Sequence, residues 1–163
     1  MALQSTTALA TITLQEASST VEFSGIPNTY RDLILVISGQ ASAADSSVNV
    51  QINTDTTSAN YPMVYAYGDG SSPGGGTLNS NGAQVSYFSG TGPIITSVEF
   101  IDYSATDKHT TILSRQNQPS GWVAMWAGRW ANTNAINQLK VVFAQAGRTW
   151  NTGTTFALFG RIA

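Results

Sequence analysis

The sequence predicts an all-β protein, a two-sheet antiparallel β-sandwich connected as a jelly roll. Three observations predict it: apolar residues recur with a period of two, turn residues interrupt the chain at short intervals, and helical patterns are scarce. Val21-Glu22-Phe23-Ser24-Gly25-Ile26 and Val48-Asn49-Val50-Gln51-Ile52 alternate apolar and polar side chains, as strands with one buried face do. Between them, Leu33-Ile34-Leu35-Val36-Ile37 is a short continuous run of branched residues. It reads as a central strand buried on both faces.

Further strands are expected over 9–13, 94–103, 110–115, 122–131, 139–144 and 156–162. Ile26-Pro27-Asn28-Thr29, Thr106-Asp107-Lys108-His109, Asn117-Gln118-Pro119-Ser120-Gly121 and Ala146-Gly147-Arg148 separate them as turns. Residues 60–68 are read as a turn or short helix that brings Tyr61, Val64, Tyr65 and Tyr67 near one another. Asp69-Gly70-Ser71-Ser72-Pro73-Gly74-Gly75-Gly76 opens a stretch, 69–82, expected to be a flexible exposed loop. Residues 1–10 admit two readings, an ordered strand or an N-terminal arm that reaches a neighbour. Neither side of the glycine loop holds enough strands for its own sandwich, so residues 1–163 are read as a single domain of about eight to ten strands.

Apolar residues make up 42% of the 163 residues, enough to build a core. Charged residues make up only 10%, against about 25% in a typical soluble domain. Ser, Thr, Asn, Gln and Gly take their place. Such a surface suits packing against neighbours, because few charges are desolvated when an interface forms. The net charge is −2 and the seven basic residues are scattered from Arg31 to Arg161, so no nucleic-acid footprint is expected. No membrane-length apolar run occurs. The first residues lack the basic start and apolar segment of a secretory signal, and cysteine is absent. The expected site of synthesis and folding is therefore the cytoplasm.

Candidate chemistry is sparse. His109 is the single histidine, and no Gly-x-Ser-x-Gly nucleophile elbow accompanies it; it reads as an exposed turn residue. One histidine and no cysteine cannot supply a zinc ligand set. Glu99 and Asp102 lie three apart on one expected strand, a spacing that sends them to opposite faces and spoils a glycosidase-type carboxylate pair. Asn53-Thr54-Asp55-Thr56-Thr57-Ser58-Ala59-Asn60 alternates oxygen-bearing side chains but lacks the glycine and terminal glutamate of a calcium loop. It reads as an Asx-rich turn. Gly74-Gly75-Gly76 has no Lys-Ser/Thr behind it and is no phosphate loop. No catalytic residue, metal or cofactor is expected.

Trp122, Trp126 and Trp130 stand four apart, with Ala124 and Gly128 between them. On a strand all three share a face. They form either a core in which large rings interdigitate with small residues or an aromatic platform for stacking on sugar rings. The core is the expectation, because a solvated row of tryptophans would be an unusually large apolar patch. Arg129 then points to the other face.

Phe23-Ser24-Gly25-Ile26-Pro27-Asn28-Thr29-Tyr30-Arg31-Asp32-Leu33-Ile34-Leu35 resembles a pattern of structural proteins from tailed bacteriophages. Ile52 to Tyr61, Gly68 to Ser72, Trp130 with Ala135-Ile136, and Gly153-Thr154-Thr155-Phe156-Ala157-Leu158-Phe159-Gly160-Arg161-Ile162 extend the resemblance over most of the chain. Related chains often close on Gly-Thr-x-Phe-x-Leu-Tyr-Gly-Ile; here Phe159 replaces the tyrosine and Arg161 precedes Ile162. The resemblance implies a non-enzymatic virion β-sandwich, often oligomeric, and names no catalytic residue. Without a trimerising stalk, the implied role is a capsid cement or decoration protein. Its implied partners are the major capsid protein and its own copies, in a homotrimer. The alternative is a tail-fibre or baseplate module that binds host-surface glycan through Tyr61, Tyr65, Tyr67, Tyr87 and part of the tryptophan set.

Overall fold

The computed structural model describes residues 6–90, 92–119 and 121–162. Among them, period-two segments become twelve strands: β1 Thr6–Thr13, β2 Thr20–Ser24, β3 Asp32–Gly39, β4 Ser46–Ile52, β5 Pro62–Gly68, β6 Pro73–Asn79, β7 Ala83–Phe88, β8 Ile94–Ile101, β9 Thr110–Asn117, β10 Val123–Trp130, β11 Gln138–Phe143 and β12 Thr155–Arg161. A single 3₁₀ turn, Ser58–Asn60, is the one helical element there. The strands form two antiparallel sheets, ordered β1-β12-β3-β8-β9-β10-β5-β6 and β2-β11-β4-β7.

Four neighbours in the large sheet, β1-β12-β3-β8, and all four of the small sheet carry the two interleaved Greek keys of a jelly roll. Two hairpins are inserted into that frame. β5-β6 falls between β4 and β7, and β9-β10 falls between β8 and β11. Both add to the large sheet beyond β8, so half of it extends past the jelly roll proper.

Alternation places one side chain in two inward. Val21, Phe23, Val48, Val50, Ile52, Leu139 and Val141 of the small sheet meet Leu33, Leu35, Ile37, Val98, Phe100, Phe156 and Leu158 of the large one. Trp150, outside the strands, packs edge-on against Phe156 and Phe88, with ring centroids 5.1 and 5.6 Å away. It closes one end of the sandwich. Strand β3 is central, as its composition predicts, but Ile34 and Val36 on its outer side are only half-buried. Among the described residues no layer covers that face.

Three segments depart from expectation. Residues 6–13 form β1, paired with β12 from Thr6↔Arg161 to Thr13↔Thr155; residues 1–5 of the expected arm lie outside the described residues. Residues 62–68 form a strand rather than a turn or helix, with the helical turn just before it. The Gly74-Gly75-Gly76 run lies within strand β6, paired with β5 through Tyr67↔Gly74, Ala66↔Gly75 and Tyr65↔Gly76. A Cβ on Gly74 would stand 2.4 Å from the Tyr67 ring, and one on Gly76 3.1 Å from the Tyr65 hydroxyl. These glycines leave room for aromatic rings lying across a neighbouring strand, so conformational freedom is not their role here.

Candidate binding surfaces

The residues carrying the phage-like pattern serve the fold. The Asp32 carboxylate is fully buried. It accepts hydrogen bonds from Arg31 Nη2 at 2.7 Å, Arg161 Nε at 2.9 Å and the Asp102 backbone N–H at 3.0 Å. Burial alone would push this carboxyl up, but the bonds from Arg31, the Asp102 backbone and Arg161 outweigh it and hold it below the usual range. Tyr30 packs against Gly160, where a Cβ would stand 2.4 Å from the ring. The Tyr103 hydroxyl donates to the Pro27 carbonyl. Together these contacts clamp the turn after β2 onto β12 and the end of β8.

The candidate chemical residues are spread among structural tasks. Glu99 pairs with Arg161 at 3.0 Å and Asp102 with Lys108 at 2.9 Å. Asp102 itself sits in the left-handed region at φ 55°, directly after β8. His109 is exposed before β9. Asp55 accepts from Trp130 Nε1 at 2.8 Å, the Thr57 N–H at 2.9 Å and Asn60 Nδ2 at 2.8 Å. Its carboxylate thus organises the Asx-rich turn. Among the described residues no cluster of His, Asp and Glu is placed to hold a metal ion. Tyr61, expected among the exposed aromatics, is fully buried. Its hydroxyl donates to the Asp55 carbonyl and accepts from the Ile52 N–H, and burial pushes its ionisation well above the ordinary tyrosine value.

The tryptophan set does share one face of β10 and its approach, and that face is the inner one. Trp126 and Trp130 are buried there, as a core requires. Trp122 is only half-buried, because the small sheet ends at β7, which lies against β9 and β10, and the sheet beyond it at β5 and β6 overhangs. In the overhang, Trp122 stacks on Tyr67 with centroids 4.2 Å apart and planes 18° apart. Tyr67 lies nearly parallel to Tyr65 at 6.3 Å, and Tyr87 of β7 is tilted against Trp122 at 5.8 Å. These rings, with Trp126, Thr77, Leu78, Gln84 and Ser47, enclose a cleft of about 340 Å³.

A polar seam fixes the far wall of this cleft. Strand β7 is an edge strand, and its outward backbone groups need partners. Gln116 of β9 supplies them: its Oε1 accepts from the Tyr87 N–H at 2.8 Å and from Ser86 Oγ at 2.7 Å, while its Nε2 donates to the Tyr87 carbonyl at 2.6 Å. Ser114 Oγ donates to the Val85 carbonyl at 2.5 Å and Thr96 Oγ1 to Ser86 Oγ at 3.1 Å. The Tyr87 hydroxyl donates to Asp45 at 2.8 Å. Burial, followed by this bond to a carboxylate, pushes the phenol up to about 12. Alternating Thr110, Ile112, Ser114 and Gln116 marks one buried face of β9, but nothing in that alternation names the partner strand.

The outer face of the same overhang is apolar and uncovered. Val64 of β5, Ile95 of β8, Leu113 of β9, and Val123 and Met125 of β10 are all exposed. The register aligns them: Ile95 and Val123 both pair with Asn117, Leu113 pairs with Ala127, and Ala127 with Val64. Arg115 interrupts the patch beside Met125. Leu113, Val123, Met125 and Val64 are neighbours in this register, while Asn117 and Arg115 separate Ile95 from them. Single exposed apolar residues are ordinary, whereas such a group is larger than usual.

No family model and no curated protein matches the sequence. Among solved structures, the galectin LEC-6 of Caenorhabditis elegans is similar over 99% of each chain, at 9% identity and a TM-score of 0.36. A likeness that loose carries no function to this chain.

Proposed function

We propose that this chain is a non-enzymatic structural protein of a tailed-phage virion, a capsid cement or decoration protein that binds the assembled shell and stabilises it. The observation that carries this reading is the uncovered apolar face formed by Val64, Ile95, Leu113, Val123 and Met125. The sequence resemblance to phage structural proteins names its partner, the coat subunits of the shell. Docked across a junction between coat subunits, the face and the coat surface opposite it would both be withdrawn from water. Because the junction exists only in the assembled shell, binding would stabilise that state by mass action. Arg115 beside Met125 and Glu99 beside Leu113 would need to keep their water or meet an opposite charge on the shell. A homotrimer about a symmetry axis is the proposed arrangement on the shell. Glu99, Asp102 and Asp55 are committed to ion pairs and turns, which favours a structural role over a catalytic one.

The test is to add purified chain to undecorated heads and measure their heat resistance. The expected result is a higher disruption temperature with wild-type chain and none with Val123→Lys/Met125→Lys. Unchanged resistance with wild-type chain would overturn the reading. A second reading, a tail-fibre or baseplate module adhering to host-surface glycan, is favoured by the aromatic cleft. Detection of the chain in isolated tails and not in heads would select it.

A further inference from the structure

The cleft poses a physical question separate from the outer face. Its walls are the rings of Tyr65, Tyr67, Trp122 and Tyr87, with Trp126 behind them and the Gln84 side chain of β7. No Lys, Arg, Asp, Glu or His lines it. Aromatic side chains with polar tips suit ligands that have both an apolar face and hydroxyl groups. Trp122 and Trp126 each carry a covered indole N–H with no hydrogen-bond partner among the described residues. Both N–H groups are sealed from the cleft, as is the equally unpaired N–H of Trp150 in the core, so the tryptophans offer the cleft their ring faces. The fold also maintains the cleft. Gly74 and Gly76 give Tyr67 and Tyr65 room to lie flat, and Gln116 holds β7, and with it Tyr87, in place.

We propose that this cleft is a binding site for an uncharged pyranose sugar, which stacks its C–H face on the aromatic walls and offers its hydroxyls to the lining side chains of Gln84, Ser47 and Thr77. The lack of charged lining groups disfavours acidic sugars and phosphates, which would lose hydration without gaining a counter-charge. A volume of about 340 Å³ is at the small end of ligand sites, which hold roughly 300–1,000 Å³, and so favours a single sugar unit over an extended chain. The proposal deepens the site of the glycan reading but not its setting: sugar binding in solution holds or fails whether the chain sits on a head or a tail.

The test is a titration of the ¹⁵N-labelled full chain with the methyl glycosides of glucose, galactose, mannose and N-acetylglucosamine, following the indole N–H resonances. The expected result is that at least one glycoside shifts Trp122 and Trp126 while Trp130 and Trp150 stay fixed. Trp122→Ala should weaken that binding about tenfold. Gln84→Ala, at a partly exposed position, should weaken it without changing the melting temperature, which guards against misfolding of the tryptophan variant. No shift with any glycoside up to tens of millimolar would overturn the proposal. So would equal shifts at all four indoles, or a response of Trp122 and Trp126 to a proline-rich peptide alone.

Discussion

The two halves of the eight-stranded sheet have the same alternating pattern and opposite surroundings. In β12-β3-β8 the inward residues pack into the core, and Leu33, Leu35, Val98 and Phe156 are wholly buried. In β9-β10-β5-β6, the last small-sheet strand, β7, lies against β9 and β10, and the sheet continues past it. There the inward residues change from a polar seam, Ser114 and Gln116, to half-covered rings, Tyr65, Tyr67 and Trp122. The outward residues change too: Asp32, Glu99 and Arg161 form an ion cluster at the jelly-roll end, whereas Leu113, Val123 and Met125 stand bare in the overhang. The contrast teaches that the jelly roll supplies stability and the inserted hairpins supply surface. In the inserted hairpins the inner face opens into a cleft where β7 ends, and the outer face carries the exposed apolar residues.

Substitutions should separate the halves, beginning with the largest effect. Asp32→Ala removes a buried carboxylate that ties Arg31, Arg161 and the Asp102 backbone together. It should cost about 3 kcal/mol in chemical denaturation and leave the outer patch unchanged. The same group sets an acid limit. Its folded pKa lies below the unfolded value of about 3.9, so its contribution is complete above that value and is lost as pH falls through the folded pKa. Wild-type stability should therefore drop below about pH 4, and Asp32→Asn should flatten that drop.

Gln116→Ala strips the partners from Tyr87 and Ser86 and should cost about 2 kcal/mol. It should also change tryptophan fluorescence, as Tyr87 shifts against Trp122. The sharpest comparison is one methyl group added in each half. Gly160→Ala would meet Tyr30 near the root of its ring, which cannot move far, and should cost about 1–3 kcal/mol. Gly74→Ala would meet the far end of the Tyr67 ring, which can swing aside. It should cost less than about 1 kcal/mol yet disturb the Tyr67–Trp122 stack. Equal costs at the two sites would break the distinction between the halves.

Much of the fold was legible because period-two alternation survives wherever one face is buried. The overhang was harder to read. Tyr65 and Tyr67 belong to a strand whose partner, β6, carries three consecutive glycines beneath the rings, a composition that reads as a loop. Tyr61, in the same stretch, is core because its hydroxyl finds both a donor and an acceptor. Spacing did place the three tryptophans on one face. It could not foretell that the covering sheet would stop between Trp126 and Trp122, making two of them core and the third a wall. Trp150 and Gln116 owe their importance to long-range neighbours, Phe156 and Tyr87, which no local pattern exposes. The outer patch was invisible for a related reason: Leu113 and Met125 come from different strands and meet only through the register.

The smallest stability effect accompanies the most direct test. Val123→Lys/Met125→Lys should change stability by no more than about 0.5 kcal/mol, as exposed sites do, and should abolish docking. Methionine oxidation reads the docked face without any substitution. Met125 is 61% exposed and Met63 only 3%, so in the free chain peroxide should oxidise Met125 quickly and spare Met63. On saturated heads, mass spectrometry of the bound chain should show Met125 oxidation slowed severalfold while Met63 stays protected. Oxidation of Met125 at the same rate in the bound and free chain would contradict the assignment of this face to the shell.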